Sequence, residues 1–474
     1  MIAIRERNSL RLEVKEFISL AIPLASAQLA QSATGFADTI MMGRMGADVL
    51  AAGGLASIIF FCILTTLSGA VMGVSPLVAE AFGAGQRNRI QQVSRQGLWL
   101  ALLASIPMMM MTGHMDAWMG SQSETTVTLA NTYLDMILWS LFPVAGFASL
   151  RSTVSALSKG RPIMVIIVIG TLFNIIGNYL LGFGKLGFPE MGLGGLALAT
   201  VLAWWGMFIA LGLYVVFHPS MRAYQFFQSI HLIKPKVLWE LIWLGVPIGL
   251  FSGLEMGFFL VVMFLVGTFG TDALAAHQIV FETLVVVFMV PLGISYATTV
   301  RVGQWLGRND FNGIQRAASV SAFLATAFTV VASTAFLIFP EYIIGLYIDV
   351  QAPENAAVVA LATPILIVAA IAQVLDGLQK AVYGGLQGLQ DTRIPMILNV
   401  LGYWGVGLSI GYVLGYQMEM GAIGLWIGQS IAIAMVAVLF GLRYFWLIEA
   451  QKFTAWDPSA IRKMSFSPTR REPF

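Results

Sequence analysis

Two halves of this chain match each other without gaps at a constant offset of 224 residues. Pro23 aligns with Pro247, Gly43 with Gly267, Gly46 with Gly270 and Asp48 with Asp272. Leu50-Ala51-Ala52 recurs as Leu274-Ala275-Ala276, and Gly69 and Gly83 recur as Gly293 and Gly307. Asn88-Arg89-Ile90-Gln91 returns as Asn312-Gly313-Ile314-Gln315, changed at one position. In a membrane protein, such a duplication most often builds two similar bundles that rock around a shared cavity. The copies differ at one informative place, where Gln31 of the first becomes Glu255 of the second.

The chain is a membrane protein by composition: 58% of its 474 residues are hydrophobic and 11% charged, against about 25% charged in soluble domains. Twelve apolar segments are long enough to span a bilayer. The first six cover 16–42, 50–80, 94–113, 128–155, 162–183 and 193–217. The second six cover 240–266, 274–305, 317–339, 355–385, 394–416 and 422–447. The expected organisation is a tail 1–15, an N-lobe 16–217, a linker 218–239, a C-lobe 240–447 and a tail 448–474. Six spans is an even number, so both copies enter from the same side and the repeat is parallel. Ala25-Ser26-Ala27 looks like a signal-peptide cleavage site, but the apolar run continues to Met42, so we expect no cleavage. The single Cys62 provides no internal disulfide framework.

Lys and Arg set the orientation. Arg87, Arg89, Lys159, Arg161, Arg222, Lys234, Lys236, Arg308 and Arg393 fall on one side, with both basic termini. The opposite loops hold Arg44 and Lys185 among many acids, including Asp48, Asp116, Glu124, Asp272 and Glu354. Both termini are therefore expected in the cytoplasm, and the chain in the cell's inner or plasma membrane.

Charge inside the bilayer costs roughly 2.5–3.5 kcal/mol on insertion scales, so it faces a partner or a cavity. Asp38, Asp135, Glu255, Glu282 and Asp376 fall within spans. Arg151, Arg301 and Lys380 lie nearer the cytoplasmic ends, where long side chains can snorkel. The interior is then net acidic and suited to cations. Glu255, among Leu254, Met256, Phe258 and Phe259, and Asp376 are the strongest candidates for a coupling cation, including a sodium site. Asp38 is a third candidate or a solvated helix-end acid. Asn174 and Asn178 stand four apart on one helix face, either as ligands or as interhelical hydrogen bonders. Asp135, Glu282 and Glu80 are weaker candidates. His277 is the only histidine within a span, where helix packing suits it best.

The chain lacks the G-x-x-x-x-G-K-[ST] phosphate loop, so ATP is not its in-chain energy source. Its four histidines have no metal-ligand spacing, and no G-x-S-x-G or H-E-x-x-H occurs. A membrane enzyme, which needs a nucleophile or metal set, is disfavoured. A passive channel would leak cations. A flippase of lipid-linked precursors would need a cationic rim rather than deep acids.

Phe36-Ala37-Asp38-Thr39-Ile40-Met41-Met42-Gly43 and Pro76-Leu77-Val78-Ala79-Glu80-Ala81-Phe82-Gly83 carry a resemblance, as do Ala273-Leu274-Ala275-Ala276-His277-Gln278-Ile279 and Asn178-Tyr179-Leu180-Leu181-Gly182. In these stretches the chain resembles the multidrug and toxic compound extrusion (MATE) family, in its NorM-type bacterial branch. The resemblance implies an all-α membrane protein of twelve helices, in two pseudo-symmetric six-helix lobes forming a V around a central cavity. It implies a Na⁺- or H⁺-coupled antiporter exporting organic, often cationic, compounds, with no permanent cofactor and no nucleic acid partner, and acting as a monomer. By the same resemblance Glu255 and Asp376 serve the coupling cation from the C-lobe. Asp38, Asn174 and Asn178 do so from the N-lobe, completed by Thr200, and Gln31 joins Asp38, Glu255 and Thr200 along the substrate cavity. Some relatives outside this branch carry Asp where this chain has Asn178.

Overall fold

The computed structural model describes residues 2–112, 124–228 and 231–453. His114, Asp116 and the tail beyond residue 453 lie outside the described residues. Every regular element among the described residues is helical. The long helices are, in order, α1 Ile2–Met45, α2 Asp48–Gly83, α3 Arg87–Thr112, α4 Val127–Ala156, α5 Gly160–Gly182 and α6 Gly192–Phe217. There follow α7 Pro235–Gly267, α8 Thr271–Gly307, α9 Phe311–Ile338, α10 Pro353–Gly388 and α11 Arg393–Gln417, then α12 Gly421–Phe453. These correspond one for one to the twelve apolar segments of the sequence.

Ten of them are apolar and long enough to cross a membrane. The other two, α1 and α3, have the length but are more polar. α1 carries Gln28, Gln31, Ser32 and Thr34, and α3 opens with Arg87, Arg89, Gln91, Gln92 and Arg95. The protein is thus an all-α, multi-pass membrane protein.

The duplication is visible in the backbone. α2 and α8 each start from a glycine of the same conformation: Gly46 has φ 126° and ψ 164°, and Gly270 has φ 111° and ψ 173°. A side chain disfavours that region, which explains why both copies hold glycine there. α5 and α11 both contain π-type turns, at Asn178–Gly182 in the first copy and at Leu401–Gly407 and Val413–Gln417 in the second. Widened turns of this kind re-aim side chains and frequently mark functional sites.

The chain forms two compact units, residues 26–253 and residues 1–25 with 254–474. Their boundaries fall inside the continuous helices α1 and α7. Within the unit 26–253, the first part of α7 packs on α2 through glycine. A Cβ on Gly69 would lie 2.7 Å from the Gly249 Cα, and one on Gly73 would lie 2.9 Å from the Gly245 nitrogen. Small residues four apart allow helices to approach this closely. The other unit repeats the device with the first part of α1 on α8, where a Cβ on Gly293 would lie 2.5 Å from the Ala25 Cα. Gly69 and Gly293 are repeat partners, so one packing constraint preserved both.

Charged pairs fasten the same helix starts. In the unit containing residues 1–25, Arg301 of α8 donates from Nε (2.8 Å) and Nη2 (2.6 Å) to the two oxygens of Glu13 on α1. Trp305 Nε1 donates to Glu13 Oε2 at 3.0 Å. Arg301 and Glu13 are both buried, so Arg301 does not snorkel as its position in the sequence suggests. In the unit 26–253, Arg89 of α3 pairs with Glu240 near the start of α7. Also there, Pro143 removes a donor that the Trp139 carbonyl would otherwise have used. The Trp205 indole supplies one instead at 3.2 Å.

Candidate functional site

Each unit holds a polar cluster within its helices. In the unit 26–253, α1, α5 and α6 bring Asp38, Asn174, Asn178 and Thr200 together as one chain of hydrogen bonds. Asn178 Nδ2 donates to Asp38 Oδ1 and, at 3.3 Å, to Asn174 Oδ1. Asn174 Nδ2 donates to Thr200 Oγ1 at 2.9 Å, and Thr200 Oγ1 donates to the Leu196 carbonyl at 3.0 Å. Spacing of four residues puts both asparagines on one face of α5, and the widened turn begins at Asn178 itself. Asn174, Asn178 and Thr200 are buried, and Asp38 is half-buried. The Asn178 Oδ1 has no hydrogen-bond partner among the described residues. A carboxylate, two amide oxygens and a hydroxyl are the hard oxygen donors that a small cation prefers. Gln31, one helical stretch earlier on α1, is half-buried and joins none of these hydrogen bonds.

The second cluster lies in the unit containing 254–474. Glu255 sits in the middle of α7, and Lys380 of α10 donates to both its oxygens, at 2.6 and 2.8 Å. This corrects the sequence reading of Lys380 as a snorkelling residue: it is 2% exposed. The reason is directional. Side chains on a helix lean toward its N-terminus, so Lys380 points back along α10 into the membrane rather than out toward the nearer C-terminal end. The interior is therefore less acidic than the count of acids implies. The Lys380 ammonium also lies 5.0 Å from the centroid of the Phe288 ring.

Asp376 precedes Lys380 by one turn on the same face of α10 and is buried. It accepts no hydrogen bond from any described residue. The widened turn of α11 presents Tyr403 and Trp404 to α7. Trp404 Nε1 donates to the Leu254 carbonyl at 3.0 Å, and the Tyr403 hydroxyl donates to Gln379 Oε1 at 3.4 Å. Tyr403 also packs edge-on against Phe258, with centroids 5.1 Å apart.

The weaker sequence candidates fall elsewhere. Glu282 accepts from Gln278 Nε2 at 3.0 Å, one turn away on α8. Asp135 faces outward on α4. His277 is buried and stacks on Phe281 at 5.8 Å and against Trp426 at 5.3 Å, a packing role. Among the described residues no three His, Cys, Asp or Glu side chains group as a metal site. A cation in either cluster would depend on amide, hydroxyl or carbonyl oxygens beside a carboxylate.

A family model, MatE, matches this chain twice, over residues 23–180 and 247–413. The chain belongs to the MatE family. The two MatE segments start 224 residues apart, at the repeat-paired prolines Pro23 and Pro247, so the internal duplication is the duplication of the family unit. A Synechocystis protein named probable multidrug resistance protein NorM is 49% identical over 447 residues, 94% of this chain and 97% of that one. A Rhizobium meliloti protein of the same name is 35% identical, over 93% and 95%. Among solved structures, the eukaryotic MATE transporter AtDTX14 superposes with a TM-score of 0.83 at 18% identity, covering 96% of this chain and all of that one. A MATE protein solved in complex with MaL6 reaches 0.84 at 20% identity, covering 93% and 98%. The structural likeness establishes the MATE fold for this MatE chain.

Proposed function

We propose that this MatE protein is a multidrug exporter that exchanges an inward Na⁺ or H⁺ for organic, often cationic, compounds by alternating access. Its place is the cell's inner membrane, with both termini in the cytoplasm. The observation that carries this reading is the hydrogen-bonded chain from Asp38 through Asn178 and Asn174 to Thr200. One carboxylate among neutral oxygen donors within an apolar segment supports this reading, because charge in a span is retained only for a reason. The family membership and the names of its relatives favour drug export over enzyme chemistry.

Of the two clusters, that of Asp38 suits the coupling cation better. Its acid is matched by no basic side chain within the cluster, and the Asn178 oxygen is free to ligate. Glu255 already carries the Lys380 ammonium. Cation binding drives exchange only if the two access states differ in affinity for it.

The test is ethidium efflux from everted or reconstituted vesicles with a Na⁺ gradient and a pH gradient imposed separately. Efflux driven by either gradient, and lost in Asp38→Asn at equal membrane content, is the expected result. Efflux indifferent to both gradients would overturn cation coupling.

A further inference from the structure

We propose that Lys380 is a movable arm that occupies the Glu255 carboxylate until an organic ammonium takes its place, whereupon Lys380 transfers to Asp376. This deepens the export reading above and rests on it for the identity of the cargo.

Three observations carry the inference. First, the Lys380 ammonium shows what Glu255 is built to hold. It donates two hydrogen bonds to that one carboxylate and lies against the face of Phe288. A carboxylate paired with an aromatic face is how organic ammonium groups are recognised, whereas an alkali ion requires a fuller shell of oxygens. Second, an alternative berth exists. Asp376 is one turn back along α10, on the side toward which the Lys380 side chain leans. It is buried without a hydrogen bond from any described residue. Third, the exchange leaves the site neutral. In the resting arrangement Lys380 neutralises Glu255 and leaves Asp376 as the surplus anion. After exchange the cargo neutralises Glu255 and Lys380 neutralises Asp376, so the incoming positive charge meets one waiting negative charge. Two fixed acids alone would hold a monovalent cargo with a surplus negative charge and release it reluctantly. The arm supplies a competitor that returns to Glu255 and expels the cargo.

Equilibrium binding of ethidium to the purified full chain tests this. Lys380→Gln removes the competitor, and its affinity should rise at least tenfold. Lys380→Arg, whose planar fork grips a carboxylate in two parallel hydrogen bonds, should bind several-fold more weakly than wild type. Asp376→Asn removes the alternative berth and should weaken binding about as strongly. In the double variant D376N/K380Q, the loss caused by D376N should disappear, because no arm remains to be housed. An affinity in K380Q equal to or below wild type would overturn the proposal, and misfolding cannot imitate a gain. Equal effects of D376N with and without Lys380 would also overturn it. A parallel measurement of ²²Na⁺ binding to K380Q closes the remaining route: a gain for sodium and none for ethidium would make the site an alkali-ion site and refute the ammonium assignment. Failure of the export reading is read separately, as absence of gradient-driven efflux by the wild-type protein.

Discussion

Removing Glu13 should loosen the packing of α1 on α8. Glu13 is buried and holds Arg301, itself buried, through two hydrogen bonds, while a third comes from Trp305. In Glu13→Ala the guanidinium keeps Gln304 at 3.1 Å and gains nothing better than Glu16, whose carboxylate is 3.9 Å away and half exposed. Deleting one member of a buried ion pair costs about 3–5 kcal/mol. The nearby Glu16 and the stacking of Arg301 on Trp305, at 5.6 Å, hold the expected loss near about 3 kcal/mol at the lower end of that range. Glu13→Gln keeps an acceptor for the indole and should lose about 2 kcal/mol, the difference being one ordinary hydrogen bond. Arg301→Met alone leaves Glu13 buried with only the indole, and the double variant E13A/R301M removes both charges and should be milder than the sum of its parts. Denaturant unfolding of the purified protein, followed by tryptophan fluorescence, gives the four corners of this cycle. The expected coupling is at least about 2 kcal/mol. Coupling below about 0.5 kcal/mol would mean that Glu13 and Arg301 act independently, and the argument from burial would fail.

Other expectations follow from particular contacts. Gly293→Ala would set a Cβ against the backbone of Ala25, which cannot move cheaply, and should cost about 1–3 kcal/mol in thermal unfolding. Gly54→Ala, with no atom within 4 Å of its new Cβ, should instead stabilise its helix by up to about 1 kcal/mol. Asn178→Leu removes the donor to Asp38 and the free oxygen, and gradient-driven ethidium efflux should fall at least tenfold at equal membrane content. Thr200→Val removes the hydroxyl at the outer end of that chain, with its bonds to Asn174 and the Leu196 carbonyl, and the same assay should show a loss of several-fold, equivalent to about 1 kcal/mol. Removing both acids in E255A/D376A should lower folded yield as well as transport, because the buried Lys380 ammonium then has neither carboxylate. Comparing that yield with the yield of E255A/D376A/K380M checks this, with recovery expected in the triple variant.

Much of the architecture was legible because membrane spans depend on length and polarity alone. All twelve segments correspond to helices, the more polar α1 and α3 among them. The repeat also singled out Glu255, through its mismatch with Gln31, and the spacing of Asn174 and Asn178 put both on the face that meets Asp38. Lys380 was misjudged because distance from a helix end does not tell which way a side chain leans. An acid and a base four residues apart, Asp376 and Lys380, was the available signal. The widened turns that aim Tyr403 and Trp404 left no mark in the composition of α11, since a π-type turn needs no special residue. Glu13 was hidden for another reason: its partner is far away in sequence, and only packing of α1 on α8 joins them.

The unit boundaries inside α1 and α7 have a consequence for how the chain is assembled. Each unit contains one helix start encoded by the other copy: residues 1–25 complete the unit of 254–474, and the start of α7 belongs to the unit of 26–253. A break in the connector after Arg222 therefore yields two fragments that are each half-built. Made separately they would leave glycine-lined grooves open, whereas made together they would complete one another, and the peptide link between them is a convenience of synthesis more than a necessity of the fold.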